Sequence, residues 1–172
     1  QVRDPRHPVL RLGAENMWDD VFYGRVRERT VPGYRGTRAF LVEIPPAVMP
    51  PRMIDELFEL RLDGQMPVLA HPERYHALWD DDALADKLHA CCAFVVDLGA
   101  LGGFHGRREQ KQARHLCERG FVDAVATDAH QLGDLQQARE GLRWIEKKLG
   151  AAAVTRLFDH APRAILAGTL DR

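Results

Sequence analysis

Short apolar runs alternate along the chain with stretches in which apolar residues return every three or four positions. Runs of the first kind read as buried strands and stretches of the second kind as amphipathic helices. The pattern predicts strands over residues 9–14, 37–44, 66–70, 94–98 and 122–127. It predicts helices over residues 18–29, 51–62, 81–92, 107–119 and 135–149. Met53, Leu57 and Leu60 share one helix face, as do Leu84, Leu88 and Cys91. Asp19 and Asp20 favour the start of the first helix. Pro45-Pro46 stops the second strand, and Gly64, Gly120 and Gly150 close helices. Residues 99–106 read as a Gly-rich loop, and residues 151–167 as two short helices broken at Pro162. Strands alternating with helices point to an α/β fold with parallel strands. Right-handed crossovers then bring every strand's C-terminal end to one face.

That face gathers chemistry. Glu15 follows the run at residues 9–13, Glu43 ends Phe40-Leu41-Val42, and His71 ends Pro67-Val68-Leu69-Ala70. Asp128 and His130 follow the run at residues 122–127. Glu15 to Glu43 and Glu43 to His71 are both 28 residues, close to the roughly 30 of a βα unit. The spacing predicts one metal-ligand type per strand, presented where α/β folds place their sites. Each of these residues taken singly has an ordinary alternative: an N-cap, a solvated loop acid or a satisfied core histidine. Five of them together at strand ends weaken that alternative.

Mixed His, Asp and Glu ligands without Cys suit Mn²⁺, Zn²⁺ or Fe²⁺. Ions held a few Å apart can clamp a phosphate and activate water, with a carboxylate such as Glu43 bridging two of them. Arg74, three residues after His71, suits bidentate phosphate contact. Its ordinary alternative is a surface salt bridge with Glu73 or Asp80.

Composition narrows the classes. The net charge of −1 carries no footprint for nucleic acid. No apolar stretch approaches the roughly 20 residues of a membrane helix, so no membrane insertion is expected. Gln1-Val2-Arg3-Asp4-Pro5 has no signal-peptide core, and three cysteines, two of them adjacent, suit a reducing compartment. A cytoplasmic location is the expectation. The chain has no serine, so a serine nucleophile is excluded. Asp97, Leu98 and Asp123 stand six residues after Cys91, Cys92 and Cys117, where a Cys-based phosphatase loop needs Arg. The Gly-rich loop matches neither a P-loop nor a dinucleotide fingerprint. His76, His89, His105, His115 and His160 lack ligand spacing and read as surface or core residues. Tyr23, Tyr34 and Tyr75 read as packing residues, with Tyr75 placed to border a pocket beside Arg74.

His71-Pro72-Glu73-Arg74 together with Ala126-Thr127-Asp128-Ala129-His130 resembles the PHP (polymerase and histidinol phosphatase) metallo-hydrolase superfamily. Within it the chain is similar to the bacterial protein-tyrosine phosphatases of capsule and exopolysaccharide operons. The likeness includes Gly13-Ala14-Glu15, Leu41-Val42-Glu43-Ile44-Pro45, Leu101-Gly102-Gly103-Phe104-His105-Gly106 and Ala161-Pro162-Arg163-Ala164-Ile165-Leu166. It implies a distorted (β/α)7 barrel with a trinuclear, usually Mn²⁺-dependent site. In that resemblance Glu43 matches a bridging carboxylate, His71 a ligand of a second metal and Asp128 a ligand of the first. Glu15 and His130 would help hold a third, and Arg74 would contact phosphate. The implied reaction is in-line hydrolysis of phosphotyrosine without a phosphoenzyme. The implied partner is a bacterial tyrosine autokinase with a Tyr-rich tail.

The family opens with a His-x-His strand, and here the single histidine before Glu15 is His7 in Arg6-His7-Pro8. Residues 1–172 are therefore expected to be the larger, C-terminal part of one PHP-like domain, short of roughly two βα units. Asp97 stands where relatives often carry Asn, and a further negative charge there opposes phosphate unless a cation offsets it. Two alternatives stay open: a PHP phosphoesterase acting on a small molecule such as histidinol phosphate, and a truncated non-catalytic module.

Overall fold

The computed structural model describes residues 12–170. Five parallel strands form one sheet in sequence order: β1 (Glu15–Met17), β2 (Ala39–Glu43), β3 (Met66–Ala70), β4 (Ala93–Asp97) and β5 (Ala124–Ala126). Between them lie α1 (Asp20–Glu28), α2 (Met53–Leu62), α3 (Asp82–Cys91), α4 (Leu98–Gly102) and α5 (Arg107–Arg119). After β5 come α6 (Leu132–Leu149), α7 (Ala151–Thr155), a π-helical turn (Arg156–His160) and α8 (Ala161–Ala167). The α/β class and the parallel sheet expected from the alternation are both present.

The two sheet faces differ because strand residues alternate sides. Phe40, Val42, Leu69, Phe94 and Val96 point into the main core. There they meet Phe22 and Val26 of α1, Met53, Leu57 and Leu60 of α2, Leu88 of α3, Leu116 of α5 and Ile145 of α6. The other face carries the smaller Ala39, Met66, Val68, Ala93 and Ala124, covered in part by Ile165 of α8, Tyr34 and Leu170. α1, α2, α3, α5 and α6 thus bank against one face, and the site-bearing parity of the strands lies on the other, with α8.

Several boundaries differ from the sequence expectation. The first strand was expected at residues 9–14; residues 9–11 lie outside the described part, and residues 12–14 are not strand. Pairing instead starts at Glu15, which opposes Leu41, while Met17 opposes Glu43. Glu15 therefore opens its strand and Glu43 ends its own. The fifth strand is shorter than residues 122–127. Asp123 donates its N–H to the Phe94 carbonyl at 3.1 Å, and its side chain, in place of its backbone, accepts the Phe94 N–H at 2.8 Å.

The Gly-rich stretch is not a loop throughout. Asp97 accepts the Gly99 N–H at 2.7 Å and caps the single turn of α4. α4 packs on α6 so closely that a Cβ on Gly141 would stand 2.1 Å from the Leu98 carbonyl oxygen. α6 itself starts three residues before the expected residue 135, because Asp134 accepts the N–H groups of His130 and Gln131 at 2.9 and 3.1 Å. Pro162 lies in the first turn of α8, where its missing N–H costs no helical bond, so it begins that helix rather than breaking one.

Candidate metal and anion site

Register explains the first cluster. Glu15 and Leu41 are opposed, so Glu15 and Glu43 project from the same face of neighbouring strands, two residues apart along the sheet. His71 follows the last residue of β3, and its N–H continues the ladder to the Val95 carbonyl at 2.8 Å. Its φ of 31° is left-handed, a conformation an L-residue holds only when its surroundings impose it. The turn brings its Nε2 to 3.3 Å from Glu15 Oε1 and 3.5 Å from Glu43 Oε2. One ligand atom from each of the three lies within 4.8 Å of the other two.

The electrostatics of this trio favour a cation. Burial raises the Glu15 carboxyl above its usual value, and the neighbouring Glu43 raises it further. Burial also raises Glu43, against the opposing pull of Arg74. Burial lowers the His71 imidazole to about 4, so the ring is neutral at pH 7. Tyr75 Oη donates to the Ala70 carbonyl at 2.8 Å and lies 3.4 Å from His71 Nδ1. With its proton committed to Ala70, the phenol oxygen can only accept from Nδ1–H. That tautomer leaves the Nε2 lone pair facing two carboxylates. Three electron-rich atoms face one another, and the donor set fits a divalent metal.

A second cluster adjoins the first. Arg74 Nη2 donates to Asp128 Oδ2 at 2.7 Å and to Asp97 Oδ2 at 2.9 Å. The expected alternative, a salt bridge with Glu73 or Asp80, is not formed. Asp80 instead meets Lys111 at 3.5 Å, and Glu73 is wholly buried, with Oε1 accepting the Asp97 N–H at 3.2 Å. Burial pushes the Glu73 carboxyl up to about 8. Asp128, like His71, sits at a left-handed φ, here 44°. His130 is exposed, and its Nδ1 lies 2.8 Å from the Asp128 carbonyl oxygen.

Two cavities share Asp97 and Asp128 as walls. One of about 170 Å³ is lined by Glu15, His71, Asp97 and Asp128. The other, about 150 Å³, is lined by Arg74, Asp97, His105, Asp128 and His130. The fold thus brings Glu15, Glu43 and His71 together, joins Arg74 to Asp128, and leaves His130 at the rim of the second cavity.

Sequence reasoning singled out Asp97 as a charge that a cation must offset, and missed the part of His105 in offsetting it. Asp97 is 2% exposed, and its extra negative charge is offset by Arg74 and by His105, whose Nε2 lies 2.6 Å from Asp97 Oδ2. His105 looked like a surface or core residue because α4 was read as loop. A helical turn there returns the chain to Asp97. Tyr75 is the packing residue expected, 1% exposed, and lines neither cavity; it braces the ends of β2 and β3 by accepting the Ile44 N–H and donating to Ala70. Cys91, Cys92 and Cys117 are buried, and burial holds the Cys117 thiol up at about 12. Among the described residues no helix is long and apolar enough to cross a membrane.

A family model for capsular polysaccharide synthesis, CpsB/CapC, matches residues 4–167. Tyrosine-protein phosphatase YwqE of Bacillus subtilis (strain 168) is 29% identical over 157 residues, 87% of this chain and 61% of its own. Tyrosine-protein phosphatase CpsB of Streptococcus pneumoniae is 27% identical over 175 residues, 92% of this chain and 68% of its own. The crystal structures of YwqE and CpsB, unique metal-dependent tyrosine phosphatases, include a chain that superposes with a TM-score of 0.79 at 24% identity, covering 92% of this chain and 64% of that one. This chain therefore spans about three fifths of the length of the Bacillus relative, and the overlay carries the fold.

Proposed function

Since the chain belongs to the CpsB/CapC family of capsular polysaccharide synthesis, we propose that it acts as a metal-dependent protein-tyrosine phosphatase. The observation that carries this reading is the Glu15–Glu43–His71 trio standing beside an arginine that is tied to Asp128 at 2.7 Å. The two relatives named as tyrosine-protein phosphatases support the substrate class.

In this reading Glu15, Glu43 and His71, with Asp128 and His130 from the loop after β5, would hold the metal, for which Mn²⁺ is our choice. Glu43, on the strand between those that carry Glu15 and lead to His71, would be the bridging carboxylate. A bound divalent ion supplies Lewis acidity and lowers the pKa of water toward neutrality. Arg74 binds the equatorial phosphoryl oxygens through its planar fork and orients the phosphate in the adjoining cavity. Water then displaces tyrosine in line, with no covalent enzyme intermediate. The five described strands would be consecutive staves of a distorted (β/α)7 barrel. The substrate would be the phosphotyrosine tail of a tyrosine autokinase governing capsule or exopolysaccharide synthesis, and the enzyme would work in the cytoplasm.

The test is hydrolysis of a phosphotyrosine peptide by the full-length protein, with Mn²⁺ and after chelation, against histidinol phosphate as competitor. Mn²⁺-dependent release of phosphate from the peptide is expected. Preference for histidinol phosphate, or no hydrolysis with any divalent metal, would overturn the reading.

A further inference from the structure

Asp97 Oδ2 stands against two side chains at once. Arg74 Nη2 reaches it at 2.9 Å and His105 Nε2 at 2.6 Å. The carboxylate is buried and held from its other oxygen by the Gly99 N–H at 2.7 Å. Gly99 leaves the ring its place, since a Cβ there would stand 3.1 Å from His105 Nε2 and 3.2 Å from Asp97 Oδ1. With Nε2 against Asp97, Nδ1 is the nitrogen left over. The imidazole is 39% exposed and lines the same cavity as Arg74, Asp128 and His130. A buried acid fixing one ring nitrogen while the other faces a reaction cavity is the arrangement by which histidines move protons.

We propose that His105 protonates the leaving oxygen of the substrate, with Asp97 as the positioning residue that aims it. This rests on the phosphatase reading above. Tyrosine is a poor leaving group, with a phenol pKa of about 10, so cleavage of its phosphate ester gains from a proton donor at the bridging oxygen. In the step, a water oxygen forms the new bond to phosphorus and the bond from phosphorus to the aryl oxygen breaks. The bonding pair stays on the aryl oxygen, which takes the proton from His105 Nδ1. One proton of the water remains on the hydrogen phosphate product. The other passes to solvent and balances the proton that reloads His105. Arg74 and His105, both paired with Asp97 Oδ2, thereby divide the work: one holds the phosphoryl oxygens, the other serves the departing one.

The experiment compares His105→Gln with the wild type in the full-length, Mn²⁺-loaded protein, on a phosphotyrosine peptide and on p-nitrophenyl phosphate. The glutamine amide can take the place of Nε2 against Asp97 and has no proton to transfer. The expected result is a kcat about 10²-fold lower on the peptide, the size of a general-acid contribution. On the nitrophenyl ester, whose leaving group needs no protonation, the loss is expected to stay within about threefold on the same reasoning. Equal losses on both substrates, or no loss on the peptide, would overturn the proposal. A wild type that hydrolyses neither ester would instead remove the phosphatase reading itself, and this proposal with it.

Discussion

Arg74 Nη2 stands 2.7 Å from Asp128 Oδ2 across 54 residues of sequence. The side chain assigned to phosphate is thus joined to a carboxylate assigned to metal, and the two halves of the site are one electrostatic unit. Among the described residues Arg74 Nε is buried without a hydrogen-bond partner.

Arg74→Ala is expected to lower kcat on p-nitrophenyl phosphate by at least about 10²-fold, the usual effect of removing one donor to a developing charge. Metal content should not change. Arg74→Lys should recover only part of the loss, because an ammonium cannot reproduce the planar fork. A loss under tenfold for the alanine variant, in steady-state kinetics, would remove the assigned role.

Glu43→Ala should cut metal stoichiometry measured by elemental analysis. Wild-type protein in Mn²⁺ at 100 times its Kd should gain about 2.7 kcal/mol of stability, read as a rise in Tm that chelation reverses. The variant should show a smaller rise. Unchanged stoichiometry would mean that Glu43 holds no metal.

Glu73→Gln should alter the pH dependence of stability. The folded-state carboxyl titrates near 8, against 4.5 for its ordinary value. Between those values the folded protein holds a proton that the unfolded chain has lost, so stability falls as pH climbs through that window. Glutamine cannot ionise and should flatten the fall. The difference in Tm between variant and wild type should therefore grow from pH 5 to pH 9 in thermal melts. A constant difference would contradict the buried, protonated state.

Gly141→Ala should destabilise by about 1–3 kcal/mol, the common cost of overpacking. The added methyl would press on the Leu98 carbonyl at 2.1 Å and push α4 from α6. Urea unfolding would measure it. Because Leu98 follows Asp97 directly, the variant should also lose activity beyond what its stability explains.

The parallel sheet was legible because each strand's apolar run and each helix's repeat are long enough to show their period. Glu43 and His71 could be read as ligand candidates since each directly follows a strand run. Glu15 was placed at the wrong end of its strand because the apolar run at residues 9–13 is stronger than Glu15–Met17, whose pairing depends on β2. Glu73, Asp97 and His105 could not be read together. Their meeting depends on two tight turns, Pro72–Arg74 and Leu98–Gly102, each too short to show a hydrophobic period. Tyr75 was drawn toward the pocket by its neighbour Arg74, yet adjacent residues in a tight turn point different ways.

Asp97 binds a backbone N–H, an imidazole and a guanidinium at once. If Arg74 turns to an arriving phosphate, Asp97 still has the other two, so it is never stranded as a lone charge in the interior. The arginine can therefore change partners on each turnover without disturbing the wall behind it. This one carboxylate makes Arg74 a side chain on loan, free to leave and certain of a place to return to.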